Sequence, residues 1–389
     1  MADVPFSVAT PTIGSTPWGA QNNAALSALG SRVATHEAAY GVSLDAFSGP
    51  SDDAKFSAAL TYATQQTYKP TIVMPNRLIT FNQKQTMFNG FSISGPPGTG
   101  SEFRYNQKIK VSVPGSGWLD QPAGTVKGIY IGNLSFEGDS NTSFFVDYDN
   151  TGPVLWASLL ENLGFNLFKH VIWGAHNAVT FAGYWDVNNG YDTQFKLWGS
   201  DGNYWTDGML IDSPNYPTGN VYHIYLVNVT KTAVGPVFIT GKSNICPMRI
   251  DGGRGIVVTG ARMEAQQGNP TWGSQLLVTG GKFIRVRDCW YFNGMSQPNT
   301  TGHANAAYDK GIITITGGSN ILIEGCMFST GDGSQTSATP AGTPHVYIGG
   351  GTSIRVRNLQ SSDAPNVVRN TAVSAATIVT DSDVTVTVG

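Results

Sequence analysis

The chain has 389 residues, 40% of them hydrophobic and only 13% charged, against roughly 25% charged in an average globular domain. Its formal net charge of −3 excludes the concentrated Lys and Arg that phosphate-backbone recognition needs, so no nucleic acid is expected as a partner. Three cysteines are too few for a disulfide framework, and no run of about 18 apolar residues offers a membrane span, so no membrane insertion is expected. With 47 glycines and 11% aromatic residues, the composition suits an all-β protein with many tight turns. The opening "MADVPFSVATPTIG" lacks the basic region and apolar core of a signal peptide, so the expectation is synthesis in the cytoplasm without conventional export.

The first segment, "TPWGAQNNAALSALGSRVATHEAAYGV", places Leu26, Leu29 and Val33 on one helical face with no core nearby. Residues 1–44 are therefore expected to form an attachment and oligomerisation segment. Next comes "SGPSDDAKFSAALTYATQQ", in which Phe56, Ala59, Leu60 and Ala63 fall at i, i+3, i+4 and i+7. That spacing predicts a helix capped by Ser51 or Asp52, suited to cover the open end of a stack of strands.

Four Gly-Gly pairs organise the second half: Gly252-Gly253, Gly280-Gly281, Gly317-Gly318 and Gly350-Gly351. Three residues beyond the second glycine stand Ile256, Ile284, Ile321 and Ile354; five beyond stand Val258, Val286, Ile323 and Val356; eight beyond stand Ala261, Cys289, Cys326 and Leu359. The period-two alternation marks strands, while repeat lengths of 28, 37 and 33 residues mark loops of variable size. Helical repeats do not tolerate that variation; the coils of a parallel β-helix do. The isoleucines should stack inward, with Cys289 and Cys326 as small apolar core residues, and Glu324 should sit between Arg287 and Arg357 as an ion-pair ladder. Weaker copies at Gly128–Gly138, His176–Trp185 and Asn220–Thr230 extend the solenoid from about Thr71 to about Leu359. The fold expected over residues 45–360 is a right-handed parallel β-helix. The tail, 361–389, reads as two strands around "TDSD" that pack on a partner subunit or on the last coil, and is expected to serve trimerisation.

Chemistry concentrates between Trp156 and Asp212. Trp156, Trp173, Tyr184, Trp185, Tyr191, Trp198, Tyr204 and Trp205 are interspersed there with Asp186, Asp192, Asp201, Asp207 and Asp212. Sugars present C–H faces to rings and hydroxyls to carboxylates, so this mixture suits a glycan; the same rings could equally fill the core or a subunit contact. Trp185, Tyr191, Trp198, Trp205 and Trp272 are the candidate glycan-binding residues, and Asp186, Asp207 and Glu264 the candidate catalytic acids. Hydrolysis needs two carboxyls about 5–9.5 Å apart, a separation that neighbouring rungs can present. "GDS" at Gly138–Ser140 reads as a turn, the six histidines lack metal-ligand spacing, and no cofactor or metal is expected.

The stretch Tyr40 to Gly95, with Tyr40-Gly41-Val42, Asp52-Asp53, an Ala-rich helix, Val73 before Pro75 and a strand ending at Gly95, resembles the opening of pectate-lyase-like β-helix proteins and bacteriophage tailspikes. "TPWGAQNNAAL", Thr16 to Leu26, resembles the N-terminal segment of tail and minor tail proteins of phages infecting actinobacteria. The resemblance implies a homotrimer in the virion tail, held by other tail proteins and facing a host surface polysaccharide; it also often places a glutamate where Glu264 stands. The expected function is a tailspike or minor tail protein that binds, and in one version depolymerises, a host glycan. The alternative is a non-catalytic structural or receptor-binding tail protein. A cellular pectinolytic enzyme fits less well, because it would carry a signal peptide.

Overall fold

The computed structural model describes residues 41–67, 69–95, 109–120, 125–146, 155–188, 190, 192–206, 209–213, 222–241, 246–265, 274–292, 310–329, 344–361, 367–370, 379–380 and 385–388. These form a right-handed parallel β-helix. A smaller sheet of 12 strands makes one face, and a larger one of 23 strands bends around the other two. One coil shows the pattern: Leu276–Val278 lies in the smaller sheet, then Lys282–Arg287 and Trp290–Phe292 in the larger. All the pairings between coils are parallel, so each strand stacks on the equivalent strand of the coil before it, about 4.8 Å away.

The predicted ladder is present in register. Ile284 pairs with Ile321 and Ile321 with Ile354; Val258, Val286, Ile323 and Val356 stack beside them, all buried. Cys289 and Cys326 are buried, free thiols. Glu324 pairs in register with both Arg287 and Arg357 and bonds the latter at 2.7 Å. The glycine pairs let successive coils approach. A Cβ on Gly317 would lie 2.3 Å from the Thr279 carbonyl oxygen, and Gly318 has φ +104°, a conformation that strains any other residue.

Toward the N-terminus the core becomes aromatic. Trp118 stacks on both Phe56 and Phe81, and the ring contacts continue through Phe136, Phe144, Phe165 and Trp185 to Phe181 and Trp205. The helix Asp52–Gln65 turns Phe56, Ala59, Leu60 and Ala63 onto this end, and the Ser51 hydroxyl accepts from the Ala54 amide as its cap. Asp52 and Asp53 tie the helix to the first coils. Asp52 accepts from Arg77 and the Thr80 amide, and buried Asp53 accepts from the Asn82 and Gln83 amides and the Gln85 side chain.

Three expectations need correction. The solenoid begins a coil before Thr71, because Val42–Ser43 already pairs with Ile72–Val73. It also runs past Leu359: Val367–Asn370 and then Thr385–Val388 stack on the smaller sheet, and Val379–Thr380 on the larger, so the tail strands lie on the last coil. Finally, Tyr222–Val227 is no copy of the post-glycine strand. It belongs to the smaller sheet, which precedes the glycine pair in the four coils that carry one, whereas His176–Ala182 is a true copy in the larger sheet. Leu26, Leu29 and Val33 lie outside the described residues.

Candidate functional site

A groove of about 600 Å³ opens on the outer face of the smaller sheet, lined by Trp173, Ala175, Lys196, Trp198, Gly199, Tyr225, Val227 and Asn228. Three successive rungs build it, Ile172–Gly174, Phe195–Trp198 and Tyr222–Val227, and the next rung, Cys246–Asp251, continues the same face beyond it. Strand alternation sends Ile172, Phe195, Ile224 and Met248 into the core. The residues that follow them or lie between them, Trp173, Lys196, Tyr225 and Arg249, share one register and point out. A second outward column holds Trp198, Val227 and Asp251. Beyond Arg249 the same column continues with Leu277 and Thr314, both buried, so the stripe ends there.

The electrostatics of the groove are specific. The Lys196 ammonium lies 5.0 Å from the Trp173 ring centroid, 5.4 Å from Tyr225 and 5.7 Å from Trp198, within cation–π range of all three. Arg249 instead is matched by an acid: its Nε donates to Asp251 at 2.8 Å, and its Nη2 lies 2.7 Å from the other carboxylate oxygen. Tyr225 donates its hydroxyl to Asp251 at 2.5 Å, and the Thr279 hydroxyl donates there too. Burial alone would raise the Asp251 pKa; the bonds from Arg249, Thr279 and Tyr225 outweigh it and hold the carboxyl below its ordinary value. Burial and the bond to Asp251 in turn raise the Tyr225 hydroxyl.

At the far end, buried His170 stacks on Trp173 with ring centroids 3.6 Å apart and lies 3.8 Å from Asp192. Burial pushes the His170 pKa down to about 3, so the ring is neutral. Burial also raises the Asp192 carboxyl, against the pull of the Thr193 amide and the positive charges of Lys169 and Lys196. Asp192 is thus an acid beside the groove that takes up a proton more readily than an exposed aspartate.

The candidate residues separate by face. Trp198 lines the groove. Trp185 and Trp205 do not: they are 1% and 3% exposed and pack against Phe181 and Phe195, so a glycan outside the coil cannot reach them. Tyr191, Asp207 and Trp272 lie outside the described residues. Asp186 is buried and accepts from the Asn188 amide group at 2.8 Å. Glu264 lies 3.6 Å from Arg262. Both acids sit on the larger sheet, away from the groove, and their strands are three rungs apart through Trp185–Asn188, Met209–Ser213, Val237–Gly241 and Arg262–Ala265. Three spacings make about 14 Å, so the fold does not bring Asp186 and Glu264 together as a hydrolytic pair. Trp173 belongs to the aromatic stretch that suits a glycan but is not among the candidate ligand residues, and Lys196, Tyr225 and Arg249 are not named for it. Their signal is the alternation of "VIWG", "FKLW", "IYLV" and "MRID", which shows only once these segments are aligned as rungs of one sheet.

No protein-family profile matches the chain, and no curated protein matches it in sequence. Solved structures match in fold. A DFA-IIIase from Arthrobacter chlorophenolicus A6 in complex with GF2 superposes with a TM-score of 0.58 at 12% identity, over 89% of this chain and 98% of that one. The same enzyme in complex with DFA-III gives 0.52 at 14% identity, over 86% and 85%. An endo-xylogalacturonan hydrolase from Aspergillus tubingensis gives 0.51 at 10% identity, over 87% and 96%. At these identities the likeness establishes the fold alone, a right-handed parallel β-helix.

Proposed function

We propose that this protein is a glycan-binding β-helix whose ligand lies in the Trp173–Lys196–Trp198–Tyr225 groove. The supporting observation is the register itself. Two indoles, a phenol and an ammonium are held on adjacent rungs, facing solvent, by strands whose opposite faces are locked in the core. Rings on such a scaffold stay ordered when empty, which lowers the entropy lost on binding. The named activity of one structural neighbour, hydrolysis of xylogalacturonan, shows that this fold can present a polysaccharide site.

The biological setting proposed is a phage tailspike or minor tail protein, homotrimeric, joined to other tail proteins and directed at a host surface polysaccharide. It rests on the resemblances at Thr16–Leu26 and Tyr40–Gly95. Detection of the polypeptide in purified virions by mass spectrometry would support that setting, and its absence from them would overturn it.

Binding without cleavage is the favoured reading, because no acid is among the residues that line the groove, and Asp251, next to Tyr225 at its edge, is already engaged by Arg249, Tyr225 and Thr279. Depolymerisation is favoured by one observation, the raised carboxyl of Asp192 beside the groove, which could supply a proton. Host-envelope polysaccharide incubated with purified protein separates the two. Retention lost in Trp198→Ala, without release of reducing ends, is the expected result. Reducing ends released by the wild type but not by Asp192→Asn would establish the enzyme instead, and neither retention nor release would remove the glycan reading.

A further inference from the structure

We infer that the groove selects a sugar bearing a carboxylate, seated on Lys196 while the sugar ring lies against Trp198. This inference rests on the glycan reading above and names the class of sugar. The two cations on this face, Lys196 in the groove and Arg249 on the next rung but one, differ in how their charge is met. Arg249 is neutralised by the two-point bond to Asp251, so that pair adds no net charge. Lys196 takes part in none of the described ion pairs; three rings surround its ammonium instead.

Rings attract a cation through their quadrupole but provide neither a full counter-charge nor strong hydrogen-bond acceptors. Lys196 therefore sits half-buried with no carboxylate in bonding distance among the described residues, and the charge of Asp192 reaches it only through space. A carboxylate arriving there meets a charge-assisted hydrogen bond in a medium of reduced dielectric, stronger than the same contact on an open surface. A neutral hexose would gain the stacking on Trp198 but not this bond. Because Trp173 and Tyr225 flank Lys196 on the rungs before and after it, the ammonium is held at the centre of the stripe.

The test uses an array of bacterial surface polysaccharides, each printed native and again after carbodiimide–borohydride reduction of its carboxyls to primary alcohols. The native, carboxylate-bearing polymers should be retained about tenfold better than their reduced forms, with the advantage shrinking as salt rises. Lys196→Gln should erase that difference while melting like the wild type. Equal retention of native and reduced polymers would overturn the carboxylate inference and leave glycan binding intact. A preference that survives in Lys196→Gln would show that Lys196 is not the selecting cation. Retention of no polymer in either form would overturn the glycan reading and this inference with it.

Discussion

At the residue scale the stack is governed by shape inside and by backbone approach at the corners. Ile321 has an isoleucine on either side, so Ile321→Ala opens a cavity between two rungs that the parallel ladder cannot close by sliding. A loss of about 2–5 kcal/mol is expected, measured by chemical denaturation. Ile321→Lys should not fold, and a lysine variant melting like the wild type would show the register to be wrong. The thiols provide a second check. Cys289 bonding and burial hold the Cys326 thiol above its ordinary range, and both cysteines are almost fully covered. Neither should react with a thiol reagent in the native protein on the time scale of an unfolded control. These positions were legible because the Gly-Gly pair marks the same point of four successive coils. An added Cβ on Gly317 or Gly350 would meet the carbonyl oxygen of Thr279 or Thr316, so at these two crossings the glycine is required.

At the scale of elements, legibility followed the punctuation. The capping helix was readable from its spacing and its serine, but the work of its two aspartates was not, since their partners lie some thirty residues away on the first coils. Asp53→Ala removes the acceptor shared by two amides and a glutamine and leaves buried donors unpaired. A loss of about 1–3 kcal/mol is expected, with Asp53→Asn losing less. The tryptophans show the opposite limit. Trp198 and Trp205 are seven residues apart in one aromatic-rich stretch, yet one faces the groove and the other the core. Alternation within a strand is plain, but a turn between them resets which parity points inward. Only the pairing of Phe195–Trp198 with Tyr222–Val227 in one sheet and of Tyr204–Trp205 with Ala233–Val234 in the other resolves the two.

For the molecule as a whole, pH and assembly are the quantities that integrate these details. Burial lowers the pKa of His170, His176 and His223 from 6.5 to about 3. The unfolded chain takes up these protons as pH falls below 6.5 while the folded chain does not, so this stability is complete above 6.5 and erodes down toward 3. Each histidine contributes a slope of about 1.4 kcal/mol per pH unit within that window. His176→Phe, beside Phe145, should flatten the decline between pH 6 and 4 in denaturation midpoints, while an unchanged slope would mean that His176 is not buried as a neutral ring.

Assembly draws on the outer face of the larger sheet. There Phe238, Arg262, Trp290 and Met327 stand in register, with the Arg262 guanidinium 4.7 Å from the Phe238 ring and 5.1 Å from Trp290, and Trp290 and Met327 each 38% exposed. On the adjoining face Arg285, Arg287 and Arg355 are exposed, and of the described acids near them Glu324 is bonded to Arg357. A second copy brought against that basic face would oppose like charges, whereas the Trp290–Met327 stripe would bury apolar surface without that penalty. The proposed homotrimer therefore has a preferred contact. Light scattering should report three times the 41.4 kDa chain mass, and the double variant Trp290→Glu, Met327→Glu should shift it toward one. Arg355→Ala should leave the mass as it was. A wild type of 41.4 kDa would end the trimer proposal, and a double variant that stays trimeric would move the contact to another face.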